Sequence, residues 1–305
     1  KPKKRLENAK DVLRSVIYED GRTSTKQFES LMARDIFQNP KSATILQRLI
    51  SFIVKEGDLV LDFFSGSATT AEALFRFEVK EKIAAHFILV QIKENLDESL
   101  KTSDSRSKKT IQNAISFLDS INKPHNICEI GEERIRRAGK KIKEDLKAKQ
   151  PDLFSDGNDD KQPLDTGFRV FRIDSSNMKD VYFAPKDLEP KQLDLFADNV
   201  KEDRTELDLL YGCMVDWGVQ LSLPLATETI DGVTVYTVND GDLVACFGKP
   251  ITDNVVKAMA DKAPLRVLFR DSCFEKDEQK INIFEQFKQL LSWSDDEALN
   301  NIRVI

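Results

Sequence analysis

Residues 59–74 of this 305-residue chain, Leu-Val-Leu-Asp-Phe-Phe-Ser-Gly-Ser-Ala-Thr-Thr-Ala-Glu-Ala-Leu, constrain its fold more than any other stretch. A short apolar run, Leu59 to Phe64, delivers Asp62 near its carboxyl end, a turn of small residues follows from Ser65 to Ser67, and a helical pattern starts near Thr69 with Ala71, Ala73, Leu74 and Phe77 on its apolar side. Strand, tight turn and helix in this order predict a parallel neighbour, because parallel strands need a crossover between them. A second apolar run, Phe87 to Ile92, supplies it. Short apolar strands of this kind are expected in a parallel sheet covered on both faces, which is a doubly wound α/β architecture.

The flanking segments extend the pattern. Asn39-Pro40-Lys41-Ser42 predicts a helix start with an Asn cap and Pro at the first helical position, followed by Ile45, Leu46, Leu49, Ile50, Phe52 and Ile53 at helical spacing and ended by Gly57. A further helix is expected around Thr110 to Ile121, and a basic helical stretch over 132–149 with Arg134, Arg136, Arg137, Lys140, Lys141 and Lys143. From Gln150 to Thr166 the composition shifts to Asp, Pro, Gly, Asn and Gln, which reads as a linker. Beyond it, strands are expected at Gly167–Ile173, Val233–Val238, Leu243–Phe247 and Leu265–Arg270, with helices at Thr205–Val219, near Asn254–Ala260 and at Asn282–Leu291, forming a smaller α+β domain. Residues 6–35 carry no strong period.

Composition excludes several classes. With 40% hydrophobic and 32% charged residues the chain belongs with globular proteins, and its apolar runs are far shorter than the roughly 18–20 residues that span a bilayer, so a cytoplasmic protein without membrane contact is expected. Four scattered cysteines, Cys128, Cys213, Cys246 and Cys273, and two histidines give no metal-ligand spacing and no disulfide framework. The net charge of −6 is uneven: residues 1–150 hold 29 basic and 22 acidic side chains, leaving 17 and 30 for the rest. A basic first half beside an acidic second half suits contact with a polyanion by the first alone.

The turn at 65–67 is chemically suggestive by itself. In open α/β sheets ligands sit at the carboxyl ends of the strands, where a helix start offers free N–H groups. Ala68 stands where a dinucleotide fingerprint would have glycine, and no Gly-Lys-Ser/Thr follows, so NAD and ATP fit poorly. A zwitterionic methionine moiety fits better, its ammonium facing Asp62 and its carboxylate facing the helix start or Lys41.

Asp62-Phe-Phe-Ser-Gly66-Ser-Ala-Thr-Thr70 resembles the S-adenosylmethionine (AdoMet) motif of amino-group DNA methyltransferases, and Phe37-Gln-Asn39-Pro-Lys41-Ser resembles the motif that precedes it in those enzymes. With Gly131-Glu-Glu-Arg-Ile-Arg-Arg137, Gly167-Phe-Arg-Val-Phe, Ser176-Asn177 and Phe269-Arg-Asp-Ser-Cys-Phe274, the order is similar to the modification subunit of type III restriction-modification systems over roughly residues 30–290. The resemblance implies a site-specific, adenine-directed DNA methyltransferase of Rossmann-like fold that transfers methyl from AdoMet to adenine N6. It also implies three partners: double-stranded DNA, a restriction subunit with nuclease and helicase functions, and a second copy of the chain. The implied cofactor residues are Asp62, Phe64, Ser65, Gly66, Ser67, Thr69, Lys41, Asn39 and Gln91, with no metal; Gln91 occupies the place where many relatives hold the ribose with an acid, and Glu94 is the nearby substitute. The Asp-Pro-Pro-Tyr tetrad that handles the flipped adenine in that family is missing, since the sequence has no Pro-Pro pair.

The expected organisation is therefore the end of an upstream recognition region (1–35), the later part of an AdoMet-binding domain (36–149), a linker (150–166) and an α+β assembly domain (167–305). No catalytic residue is assigned and the chain alone is expected to be inactive. The rival expectation is a noncatalytic module for dimerisation or partner docking.

Overall fold

In a computed structural model the described residues are 16–149, 164–179, 199–274 and 276–305. The chain divides into two units, Lys1–Phe168 and Arg169–Ile305.

The first unit is built around one βαβ element. Strand β1 (Leu59–Asp62), helix α3 (Thr69–Glu81) and strand β2 (His86–Leu89) form a parallel pair in the register Leu59↔His86 to Asp62↔Leu89. Val60, Phe87 and Leu89 turn toward a helical layer made by α2 (Ala43–Ile53), α3 and α6 (Ile127–Lys149), where Ala43, Ile50, Leu74, Phe75, Phe77 and Ile135 are buried. Each fully buried Leu or Phe contributes about 1.5–3 kcal/mol of transfer free energy. Helix α2 starts later than its sequence suggests. Asn39 adopts a left-handed conformation (φ 49) and caps nothing, and Ser42 is the cap, its Oγ accepting from the Ile45 N–H at 3.2 Å. The helix ends at Ile53, before Gly57.

Of the cover expected on both faces of the sheet, the described residues supply one. Among the described residues this sheet has two strands, and its second face presents Leu59, Leu61, Phe63, Ile88, Val90 and Ile92, each between 45% and 79% exposed. Strict alternation puts these side chains opposite Val60, Phe87 and Leu89, and no described segment supplies a layer for them.

Residues without an evident period also contribute to this unit. Helix α1 (Gly21–Glu29) is capped by Asp20, and Phe28, Met32 and Ile36 enter a core with Leu96, Phe117, Leu118 and Ile130. Helices α4 (Leu96–Thr102) and α5 (Ser105–Ser120) are capped by Asn95 and Asp104, each accepting two backbone N–H groups. His125 joins them, with Nδ1 3.0 Å from Asp97 Oδ2 and Nε2 2.8 Å from Asp119 Oδ1. The bond to Asp119, then that to Asp97, raises the imidazole above its ordinary value. Only the cation can donate from both nitrogens, so this contribution is complete below the unfolded value of about 6.5 and is lost as pH rises through the higher folded value. The thermal midpoint of the chain should therefore fall over that window more steeply than in His125→Gln; parallel pH profiles for the two proteins would refute the clamp.

The second unit is a five-stranded mixed sheet in the order β3 (Leu225–Ile230), β4 (Val233–Val238), β5 (Leu243–Cys246), β6 (Val267–Phe269), β7 (Ile302–Val304). The first two pairings are antiparallel and the last two parallel. Tyr236, Val238, Leu243, Ala245 and Leu268 pack under α7 (Glu206–Asp216), while Val235, Val244, Cys246, Val267 and Phe269 pack under α8 (Asp253–Ala260) and α9 (Asp277–Leu291). Helix α10 (Asp295–Asn301) leads into β7. Helices thus cover both faces of this sheet. The expected strand at Gly167–Ile173 is corrected: the segment is irregular, no described segment pairing with its backbone as a ladder, and Phe171 sets its ring edge against Tyr211 at 4.9 Å. Burial pushes the Cys246 thiol up to about 11 and Cys273 to about 12, so both stay neutral near pH 7. Most of the composition-shifted stretch, residues 150–163, lies outside the described residues.

Candidate functional site

The carboxyl end of β1 and the start of α3 are joined by six residues, two of them left-handed. Gly66 has φ 50 and Ala68 has φ 57. Glycine tolerates this freely, whereas alanine pays about 1–2 kcal/mol. Three groups hold the turn on its strand side. Asp62 Oδ1 accepts from the Phe64 N–H at 3.1 Å and Oδ2 accepts from Thr70 Oγ1 at 2.6 Å, so one carboxylate ties the strand end to the first turn of α3. Ser65 N–H donates to the Val90 carbonyl at 3.2 Å. Gly66 N–H donates to Gln91 Oε1 at 2.7 Å, and Gln91 Nε2 donates to the Ile92 carbonyl at 3.2 Å.

The other side of the turn rests on α6. A Cβ placed on Gly131 would lie 3.3 Å from the Gly66 carbonyl oxygen and 3.4 Å from Ala68 Cβ, so the two segments meet where only a hydrogen fits comfortably. One turn later Arg134, 1% exposed, is the largest fully buried side chain among the described residues. Its Nη1 donates to the Ser67 carbonyl (3.2 Å), Ser67 Oγ (2.8 Å) and Thr69 Oγ1 (2.6 Å). Its Nε and Nη2 meet Glu72 Oε2 at 2.9 and 2.8 Å. Glu72 is equally buried and also receives Arg76 on Oε1 at 2.5 Å. Burial lowers the Arg134 guanidinium from its ordinary value and Glu72 opposes that shift.

The residues singled out from the sequence fall into two places. Asp62, Phe64, Ser65, Gly66, Ser67, Thr69 and Gln91 gather around this one turn, with Asp62 half-buried and Phe64 80% exposed. Phe37 reaches the same place, since its Cζ is 3.4 Å from where a Gly66 Cβ would be. Asn39 and Lys41 are exposed and line an open cleft of about 730 Å³ whose other walls include Glu19, Arg22, Lys26 and Glu29 of the α1 region. None of the turn residues lines that cleft. Glu94 accepts from Ser99 Oγ at 2.7 Å at the start of α4.

Two features escaped the sequence reading. The hydroxyls of Ser67 and Thr69 serve Arg134, so what they offer elsewhere is backbone. Arg134 itself was hidden within a basic run whose neighbours Arg136 and Arg137 pair along the helix with Glu132 and Glu133 at 2.9 and 2.7 Å. The available signal was Glu72, a lone acid inside Ala-Glu-Ala-Leu-Phe, where a buried carboxylate requires a counter-charge.

Residues 1–102 match the model of a DNA methylase family, N6_N4_Mtase. Three curated proteins are similar to the chain. The Mod subunit of the type III restriction-modification enzyme EcoP15I from Escherichia coli is 29% identical over 284 residues, covering 88% of this chain and 37% of that protein. The EcoPI Mod subunit of Escherichia phage P1 is 32% identical over 36% of this chain and 18% of its own length. The StyLTI Mod subunit of Salmonella typhimurium is 30% identical over 42% of this chain and 17% of its own length. The chain thus spans little more than a third of the first relative, and less than a fifth of each of the others is matched.

Proposed function

We propose that this chain, a relative of type III restriction-modification Mod subunits, is the cofactor-binding part of an adenine-specific DNA methyltransferase and holds AdoMet at the turn between β1 and α3. The observation that supports this most is the convergence of Asp62, Gly66 and Phe37 at the carboxyl end of a parallel strand, inside the residues that match the DNA methylase family. The donor set fits the group. Each Asp62 oxygen accepts one bond and keeps lone-pair capacity for an ammonium, and the exposed Phe64 ring offers a face to an adenine. Gly66 leaves room that a Cβ would close against Phe37. The backbone at Ser67 and Thr69 takes the polar edge of the ligand and Gln91 acts by fixing Gly66, while Asn39 and Lys41, on the separate cleft, make no contact with it. When bound, AdoMet supplies an electrophilic methyl group for the N6 amine of a target adenine.

In this reading β1 and β2 belong to a larger Rossmann-like sheet, and the bare face of Leu59, Leu61, Ile88 and Val90 is the side on which the rest of that domain packs. The boundaries 36–149 and 167–305 describe the cofactor part and an assembly part. DNA meets the basic first half. The acidic second half is kept for protein partners, a second copy of the chain and a restriction subunit. No helix among the described residues is long and apolar enough to cross a membrane.

Isothermal titration of the chain with AdoMet tests the cofactor reading. Saturable binding at one site is expected, without methyl transfer to DNA, since the sequence has no Asp-Pro-Pro-Tyr. A folded sample that shows no heat of binding would favour the second reading, a docking module that keeps the fold and not the cofactor; the engagement of Ser67, Thr69 and Gln91 by protein groups is the observation on its side.

A further inference from the structure

We infer that Arg134 is a positioning residue for the cofactor turn: reaching across from α6, it holds Ser67 to Thr69 in the conformation that accepts the ligand. The inference rests on the AdoMet reading for its ligand, but not for its geometry. The guanidinium spends three of its donor contacts on one short segment, the Ser67 carbonyl and hydroxyl and the Thr69 hydroxyl. These bracket Ala68, whose left-handed φ of 57 an alanine leaves readily unless its neighbours are fixed. Two further contacts anchor the guanidinium itself, the paired bonds to Glu72 on α3 and the Phe28 ring, whose centroid lies 5.2 Å from Arg134 Cζ. The fork is therefore fixed at its base and directed at the turn, a planar two-sided geometry that a lysine ammonium cannot reproduce.

The position of the contact explains why a charged side chain is kept in an otherwise apolar layer. Ala68, between its partners, and Ile135, next to it in the chain, belong to a core cluster with Ala71 and Phe75, and a hydrocarbon in its place would pack without tying down Ser67 or Thr69. What Arg134 adds is rigidity at the point where α3 presents its first N–H groups. Asp62 does the same from the strand side through Thr70, so the helix start is gripped from two directions.

The test compares Arg134→Lys with the unaltered chain, each alone and combined with Ala68→Gly. Amide hydrogen exchange of the ligand-free proteins is read at Gly66 and Ala68, whose N–H groups donate to Gln91 Oε1 and the Ser65 carbonyl, each at 2.7 Å, and AdoMet affinity by titration. Arg134→Lys is expected to speed exchange in this segment about tenfold while amides of β4 and β5 in the other unit are unaffected, and to weaken AdoMet about tenfold. In the Ala68→Gly background, where the left-handed residue needs no support, both losses should shrink to about threefold or less. A residue that merely stabilises the fold would lower the unfolding midpoint and leave folded-state exchange and affinity as they were; that result, or equal losses in both backgrounds, overturns the proposal. If Arg134→Lys fails to fold, Glu72→Gln loosens the anchor with little change in volume and should speed exchange at the same amides, and unchanged exchange there counts equally against the inference. Absence of AdoMet binding in the unaltered chain would overturn the cofactor reading alone, and the exchange comparison would still decide whether Arg134 holds the turn.

Discussion

Replacing Asp62 by alanine is expected to weaken AdoMet binding about a hundredfold in an isothermal titration, or about 2.7 kcal/mol. Two losses add up to that figure. The first is the ion-paired hydrogen bond that the carboxylate offers to the ligand ammonium, on the order of 1.5–3 kcal/mol for a charged partner. The second is preorganisation: with Oδ1 and Oδ2 gone, Phe64 N–H and Thr70 Oγ1 lose their acceptors and the strand end is no longer tied to α3. Asp62→Asn separates them. Its amide oxygen still accepts from Phe64, the Thr70 hydroxyl rotates to accept from the amide nitrogen, and only the charge is lost, so a loss of about tenfold is expected. Affinity of Asp62→Ala within twofold of the unaltered chain would mean that Asp62 is a structural cap and that the ligand, if bound, sits elsewhere.

How far the sequence determines this structure is seen best by comparing residues that signal locally with those that signal through space. Leu59 to Leu74 announces strand, turn and helix because an apolar run, small turn residues and a helical period follow one another within 16 residues, and the structure follows it with β1, the turn at Gly66 and α3. Phe37 and Gly66 could be placed together only through the resemblance of their motifs, since nothing in 29 residues of separation measures a distance. Helix α1 gave little signal: Phe28, Met32 and Ile36 recur every fourth residue, but only Phe28 lies within the helix, and their partners Leu96, Phe117 and Ile130 come from three other segments. The strand expected at Gly167–Ile173 failed for the opposite reason. Apolar and polar residues alternate there only in short runs, Phe168 to Val170 and Phe171 to Ile173, and a strand exists only beside a neighbour, which such a pattern does not supply. Strand β7 was missed because Ile302–Val304 is three residues long and is made a strand by its register with Val267 to Phe269. Gln91 and Glu94 show the limit for site residues. Both were legible as polar positions after an apolar strand, yet which atoms they face is decided by Gly66 and Ser99, a fact of packing that no spacing contains.

Glu72→Ala is expected to cost the first unit about 3–5 kcal/mol, the range for breaking a buried ion pair by removing one partner. That is a large share of the roughly 5–15 kcal/mol by which a domain is stable. The penalty arises from what remains. Arg134 is 1% exposed and would keep its charge in an apolar layer with hydroxyl and carbonyl acceptors but no carboxylate. The reverse removal is milder, because in Arg134→Met the carboxylate of Glu72 keeps Arg76, whose side chain is 33% exposed and already bonded to Oε1. Replacing both, Glu72→Met with Arg134→Met, leaves neither charge unpaired and fills most of the volume, so its cost should fall below that of Glu72→Ala alone. Urea unfolding of the three variants measures this order directly. If Glu72→Ala is no less stable than Arg134→Met, the buried guanidinium finds compensation without Glu72, and the network that fixes the turn is organised by its hydroxyls and carbonyl rather than by its charge.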